Sequence, residues 1–223
     1  MDKAVIIVAG GSGTRMKAAI PKQFLILNKK PVLMHTINRF FAFDPTIRII
    51  LVLPKNNIGY WLQLCDEYYF QVPFEIAEGG ETRFHSVKKG LALLNEFKGL
   101  IGVHDGVRPL VSFKTLHNCY EDEKPNHAVI PVLPSVESVR IIDGGRNYAI
   151  SRNSIMLVQT PQVFHSTILN IAYNLAFNEL FTDDASVVES AGFPITLVDG
   201  NKENIKITSM DDLVFAENTM FSE

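Results

Sequence analysis

The sequence predicts an α/β fold, a mostly parallel sheet flanked by helices. Three observations carry that expectation. Short apolar runs bounded by glycine, proline or other turn residues recur at Ala4–Val8, Ile47–Leu53, Leu100–His104 and His127–Leu133, as strands buried on both faces do. Segments with helical spacing separate them, so strand and helix alternate and right-handed crossovers follow. A glycine-rich turn, Gly10-Gly11-Ser12-Gly13-Thr14, leaves the first run. Without Cβ atoms, backbone amides in such a turn can approach a phosphate.

Taken in order, Pro31–Phe43 reads as a helix with Val32, Leu33, Thr36, Ile37 and Phe40 on one face and proline in its first turn. Asp44-Pro45 ends it, and Ile47–Leu53 is a buried strand stopped by Pro54. Asn57–Phe70 is helical with Trp61, Leu64, Cys65 and Tyr68 inward, and Phe74–Ala77 is a short strand. Glu78-Gly79-Gly80-Glu81-Thr82-Arg83 then enters a helix reaching about Asn95. From that stretch alone, contacts from Gly80 and Ser86 to a base and a plain turn with a helix cap stand level. The strand Leu100–His104 runs into Asp105-Gly106-Val107-Arg108-Pro109. Phe113–Glu123 is helical and His127–Leu133 is a strand.

The pattern then changes. Glu137–Ile142 and Asn147–Ile150 are β runs around Asp143-Gly144-Gly145-Arg146, a hairpin signal. A lone two-stranded ribbon is barely stable, so it must dock on something. Leu157–Phe164 returns to the body, and Ser166–Leu180 is helical. Thr182 is the expected N-cap before Asp183 and Asp184, whose carboxylates suit a first helical turn better than a metal. Thr196–Val198 and Asn204–Thr208 are late strands, and Met210–Met220 closes the chain as a helix.

Composition bounds the function. The chain has 223 residues, 47% hydrophobic and 20% charged, with net charge −3. That suits one soluble domain over 1–223 and gives no basic surface for nucleic acid and no polybasic membrane patch. No apolar stretch approaches the roughly 18 residues of a membrane span. Met1-Asp2-Lys3 leads straight into the first strand, and Cys65 and Cys119 stand far apart with no metal or redox spacing. Buried free thiols in a cytoplasmic protein are expected.

The first loop narrows the chemistry. A P-loop needs lysine and a hydroxyl residue after its last glycine, and neither follows here. A dinucleotide fingerprint needs a third glycine where Met16 stands. Arg15, with Lys22 seven residues on, instead supplies two cations beside the turn, suited to a triphosphate. Asp105, at the carboxyl end of a central strand, is a natural Mg²⁺ ligand, since magnesium takes one or two carboxylates plus phosphates and water. His104 is expected as a packed core histidine.

The string from Val5 to Phe24, ending in Pro-Lys-Gln-Phe, resembles the opening signature of sugar-phosphate nucleotidyltransferases. It is most similar to the cytidylyltransferase branch that includes the 2-C-methyl-D-erythritol 4-phosphate cytidylyltransferase family. The motifs GGETR with Ser86, HDGVRP, SRN, QTPQVF, TDDAS and NIKIT follow in order, so the resemblance covers nearly the whole chain. It implies a Rossmann-like α/β sandwich with a protruding β-hairpin arm at about 134–156 that clasps a second subunit. It implies transfer of CMP from CTP to the polyol phosphate with release of diphosphate, aided by Mg²⁺ on Asp105. By the same resemblance, Arg15 and Lys22 stabilise the transition state, and Arg152 and Lys206 position the attacking phosphate. Ala9, Gly10, Gly11, Gly13, Thr14, Gly80, Glu81 and Ser86 bind the nucleotide. Asp105, Arg108, Ser138, Thr160 and Thr182 join Arg152 and Lys206 around the acceptor, with Ser138 and Arg152 reaching the neighbouring subunit's site. The family often has Ala-Ala-Gly and HDAARP where this chain has Ala9-Gly10-Gly11 and HDGVRP. The Val-Arg-Pro form also occurs in related ribitol-5-phosphate cytidylyltransferases, which leaves the choice of polyol open.

Overall fold

The computed structural model describes residues 1–11, 20–121 and 127–220. Arg15, Gly13 and Thr14 lie outside the described residues. In chain order the elements are β1 (Asp2–Val8), β2 (Ile26–Leu27), β3 (Lys30–Pro31), α1 (Val32–Phe43), β4 (Arg48–Leu53), α2 (Lys55–Glu67), β5 (Glu75–Glu78), α3 (Arg83–Ala92), β6 (Gly99–Asp105) and α4 (Phe113–Tyr120). Then follow β7 (Ala128–Pro134), β8 (Val139–Asp143), β9 (Arg146–Ile150), β10 (Met156–Val158), β11 (Gln162–His165), α5 (Ser166–Tyr173), α6 (Asp184–Ser190), β12 (Thr196–Asp199) and α7 (Met210–Met220).

The main sheet has the order β10-β7-β11-β6-β1-β4-β5, with β12 paired to β7. The β5-β4-β1-β6 half is parallel throughout. Ile6, Ile7, Ile50, Leu51, Ile101 and Val103 are buried, as strands covered on both faces require. Core side chains form one cluster on each face of this sheet, one including Ile6, Val52, Val87 and Phe164, the other Ile7, Leu51, Trp61 and Leu116. The register places Val8 opposite both Val52 and Asp105. The turn after β1 and the end of β6 therefore emerge side by side, where ligands collect in open α/β sheets.

Two expectations need correction, whereas Leu157–Phe164 returns to the body as β10 and β11, both antiparallel to β7 along its edge away from β12, with β11 inserted between β7 and β6. The helix expected to reach Leu180 ends at Tyr173. Beyond it the chain turns so that Phe177 and Phe181 pack on Phe84, with ring centroids 5.8 and 5.7 Å apart. Asn204–Thr208 forms no ladder. Asn204 is instead fully buried, its amide donating to the Thr160 carbonyl at 2.8 Å, while Ile207 N–H donates to the Val107 carbonyl. A polar latch holds this segment.

The hairpin forms as expected, Val139 pairing with Ile150 and Asp143 with Arg146. Gly144 and Gly145 have φ of 52° and 80°, the two positive values that a two-residue hairpin loop demands. The ribbon pairs with no other strand among the described residues, and Ile142 is 81% exposed. Cys65 and Cys119 are buried free thiols, pushed up to about 11 and about 12 by burial.

Candidate active site

A cleft of about 720 Å³ opens at the carboxyl ends of β1, β4, β5 and β6. Ala9, Gly10 and Gly11 form one wall, and Gly79, Gly80, Glu81 and Ser86 form another. Lys22, Asp105 and Lys206, drawn from distant parts of the sequence, share it. The Gly79-Gly80 turn is backbone in close quarters. A Cβ on Gly80 would lie 2.5 Å from His85 Cβ and 2.9 Å from its carbonyl carbon, so only glycine fits. Ser86 Oγ, buried at the first turn of α3, accepts from the Gly80 amide at 3.0 Å. Thr82 caps the same helix by accepting from the His85 amide. The capped helix of one reading is present, and the turn before it lines the cleft.

Lys22 lies in a 3₁₀ turn, Lys22–Phe24, and is 8% exposed. Phe24 anchors that turn by stacking on Trp61 at 6.2 Å and meeting Tyr60 edge-on at 5.3 Å. Opposite, Asp105 Oδ2 takes the Arg108 Nε at 3.1 Å and the Lys206 Nζ at 3.1 Å. Burial alone would raise the pKa of Asp105. The surrounding cations, Lys206, Arg83 and Arg108, outweigh it and hold the carboxyl well below the usual carboxylate range.

Behind Asp105 runs a chain of hydrogen bonds whose directions follow from its ends. His104 Nε2 lies 3.0 Å from the Arg108 carbonyl, which only accepts, so Nε2 carries the proton. His104 Nδ1 therefore accepts from the Thr160 hydroxyl at 3.0 Å, and Thr160 Oγ1 accepts from the Asp105 amide at 3.2 Å. His104 is fully buried against Phe40, and burial pushes it down to about 4, so it stays neutral. It is the packed histidine the sequence suggested. The Thr160 hydroxyl is engaged here in fixing Asp105.

The other acceptor-side residues are dispersed. Thr182 is exposed and caps nothing. Asp183 is the N-cap of α6, exchanging bonds with Ser186 in a capping box, which corrects the expected Thr182 cap. Asp184 is fully buried, gripped by Arg83 through 2.8 and 2.6 Å bonds and by the Tyr173 hydroxyl at 2.6 Å. Ser138 and Arg152 are exposed on the arm, Arg152 donating to the Val136 carbonyl, and neither lines this chain's own cleft.

Sequence reasoning passed over Lys55, Lys89 and Arg83, which also line the cleft. Lys55 follows the proline that stops β4, so the rule that ligands gather at carboxyl ends of strands would have found it. Lys89 steadies the glycine turn by donating to the Gly79 carbonyl at 2.9 Å.

Comparison with known proteins decides the family. The model of the family described as 2-C-methyl-D-erythritol 4-phosphate cytidylyltransferase matches residues 3–222. The chain belongs to that family. A Phocaeicola vulgatus 2-C-methyl-D-erythritol 4-phosphate cytidylyltransferase is 53% identical over 217 residues, spanning 97% of this chain and 99% of the relative. The crystal structure of 4-diphosphocytidyl-2C-methyl-D-erythritol synthase from Anaerococcus prevotii superposes with a TM-score of 0.82 at 27% identity, covering 99% of this chain and 98% of that one. The bifunctional IspDF from Campylobacter jejuni matches with a TM-score of 0.81 at 28% identity; the match covers 96% of this chain but 54% of that longer one.

Asp105 suits a divalent cation. Magnesium requires one or two carboxylates when substrate phosphates complete its shell. Among the described residues both ion pairs of Asp105 fall on Oδ2. No group of three or more His, Cys, Asp or Glu side chains able to hold a metal occurs among the described residues.

Proposed function

We propose that the chain transfers CMP from CTP to 2-C-methyl-D-erythritol 4-phosphate and releases diphosphate, a step of isoprenoid precursor synthesis. The observation that carries the mechanism is the meeting of Lys22, Lys206 and Asp105 in one cleft beside two glycine turns. A phosphate oxygen of the acceptor attacks the α-phosphorus of CTP in line. The new P–O bond forms as the bond to the β-phosphate oxygen breaks, and diphosphate leaves with that electron pair. Both reactants are anions, so the barrier is largely their repulsion and the charge gathering on phosphorus. Lys22 answers the triphosphate from one wall, with Arg15 assigned beside it by family resemblance. Lys206, tethered to Asp105, answers the attacking phosphate from the other. Asp105 would hold Mg²⁺, which supplies further charge neutralisation when bound. No general base is needed, because a phosphate monoester is already ionised near neutral pH, and neutral, buried His104 takes no part.

The glycine walls, with Ala9 and Ser86, frame the cytidine. Arg108 is tied to Asp105 and to the Asn204 carbonyl at 2.6 Å, and it orders the acceptor side. The exposed apolar arm supports a homodimer in which Ser138 and Arg152 serve the neighbouring cleft. A single nucleotidyltransferase domain over 1–223 and a cytoplasmic location complete the reading. It is supported by net charge −3 and by the lack of any helix, among the described residues, long and apolar enough to cross a membrane.

The test is diphosphate release from CTP with 2-C-methyl-D-erythritol 4-phosphate, with ribitol 5-phosphate in parallel. Turnover with the first and little with the second is expected, and the reverse order would overturn the acceptor. Arm sharing has its own test. Arg152→Ala and Lys206→Ala chains, each nearly inactive alone, are expected to regain activity when mixed and re-equilibrated. One cleft in each mixed dimer would then keep both residues. No recovery despite exchanged subunits means that each arm serves its own chain.

A further inference from the structure

Gln23 sits between Lys22 and Phe24 and lines the same cleft, yet it is 1% exposed. Its amide nitrogen donates to the Ala9 carbonyl at 2.8 Å. That carbonyl only accepts, so the orientation of the amide is fixed. Among the described residues, Gln23 Oε1 is then left buried with no hydrogen-bond partner. An unpaired buried carbonyl costs stability, and a methionine would fill the same space without it. What the amide supplies in exchange is its hold on Ala9.

Ala9 is pinned from its other side as well, its N–H donating to the Val52 carbonyl at 2.9 Å. The peptide leaving β1 is thus gripped by β4 through one end and by Gln23 through the other. A carbonyl oxygen has two lone pairs, and Gln23 uses one. Cytosine carries an amino donor at the ring position where uracil carries a carbonyl acceptor. An acceptor held rigidly against the base pairs with the first and opposes the second, and such discrimination depends on the acceptor not yielding.

We propose that Gln23 is a positioning residue for base selection: by fixing the Ala9 carbonyl, it presents the acceptor that takes the 4-amino group of cytosine and rejects uracil. The inference rests on the cytidylyl-transfer reading, in which Ala9 frames the base. It also joins the two halves of nucleotide recognition, because the same short turn carries Lys22 on the phosphate side.

The experiment measures kcat/KM for CTP and for UTP, with 2-C-methyl-D-erythritol 4-phosphate as acceptor, in the unchanged chain and in Gln23→Met. The preference for CTP over UTP is expected to fall roughly three- to tenfold, the worth of one neutral hydrogen bond. The fall should come through a raised KM for CTP, with the acceptor KM unmoved and the melting temperature not lowered. A merely structural glutamine would shift the melting temperature or both nucleotides together and leave the ratio alone. Should Gln23→Met fail to fold, Gln23→Leu likewise has no donor for Ala9, and the same loss is expected. A folded variant whose CTP preference stays within about twofold of the unchanged chain overturns the proposal. Absence of CTP-dependent turnover in the unchanged chain would instead sink the cytidylyl-transfer reading itself, so the two failures are told apart.

Discussion

Replacing Lys206 with alanine is expected to lower kcat by about two to three orders of magnitude, as removal of a preorganised transition-state donor does, while leaving the fold intact. The side chain is 42% exposed, and its partner Asp105 keeps Arg108 at 3.1 Å. Loss of such a partly solvated pair costs about 1 kcal/mol or less. The chain around it is held by contacts that do not involve its ammonium: the Ile207 N–H on Val107, and the Asn204 carbonyl accepting from Arg108 and Gln159. The variant should therefore melt within a few degrees of the parent. In the proposed mechanism, catalysis depends on the ammonium being where two phosphates must meet. Stopped-time assays of diphosphate release at saturating CTP and acceptor measure kcat directly. A loss smaller than about threefold would mean that Lys206 merely tethers Asp105 and takes no share of the phosphate charge.

Much of that arrangement was legible beforehand. Ala4–Val8, Ile47–Leu53 and Leu100–His104 are apolar runs that read as strands buried on two faces, and parallel pairing of such runs sets the ends of β1 and β6 together. Asp105 and the Gly10-Gly11 turn were therefore neighbours by topology alone. The hairpin was equally plain, because two glycines between β-branched and aromatic residues leave few alternatives. What stayed hidden depended on partners far along the chain. Nothing local shows that β11 slips antiparallel between β6 and β7, since strand order is set by which long-range ladder wins. Nor does the local pattern reveal that Asn204–Thr208 abandons a ladder for a latch built on buried Asn204. Asp184 is the sharpest case. Beside Asp183 it reads as one of two first-turn acids, yet Asp183 alone caps the helix, while Asp184 points into the core to meet Arg83, 101 residues away in sequence.

That buried pair makes the largest stability prediction. Asp184→Ala is expected to destabilise the protein by about 3 kcal/mol, the low end for breaking a buried ion pair from one side. The carboxylate is fully buried, whereas the Arg83 side chain keeps 30% of its surface, so the stranded guanidinium can turn partly into the cleft and recover some hydration. The Tyr173 hydroxyl has no such escape. It is deep between α3, α5 and α6, where burial and then Asp184 push its pKa well above the ordinary value, and it would lose the acceptor 2.6 Å away. For a chain of this size the loss corresponds to a fall of about 6–12 °C in melting temperature. Asp184→Asn should lose less, since its side-chain oxygen still accepts from Tyr173 and the cavity stays filled. Urea midpoints and thermal melts of the two variants decide the matter. A drop under about 2 °C for Asp184→Ala would show that the pair's desolvation cost cancels its attraction even one-sidedly. The larger effect on alanine than on asparagine, by contrast, would identify the Arg83–Asp184–Tyr173 contact as the joint that fastens α5 and α6 to the wall of the cleft.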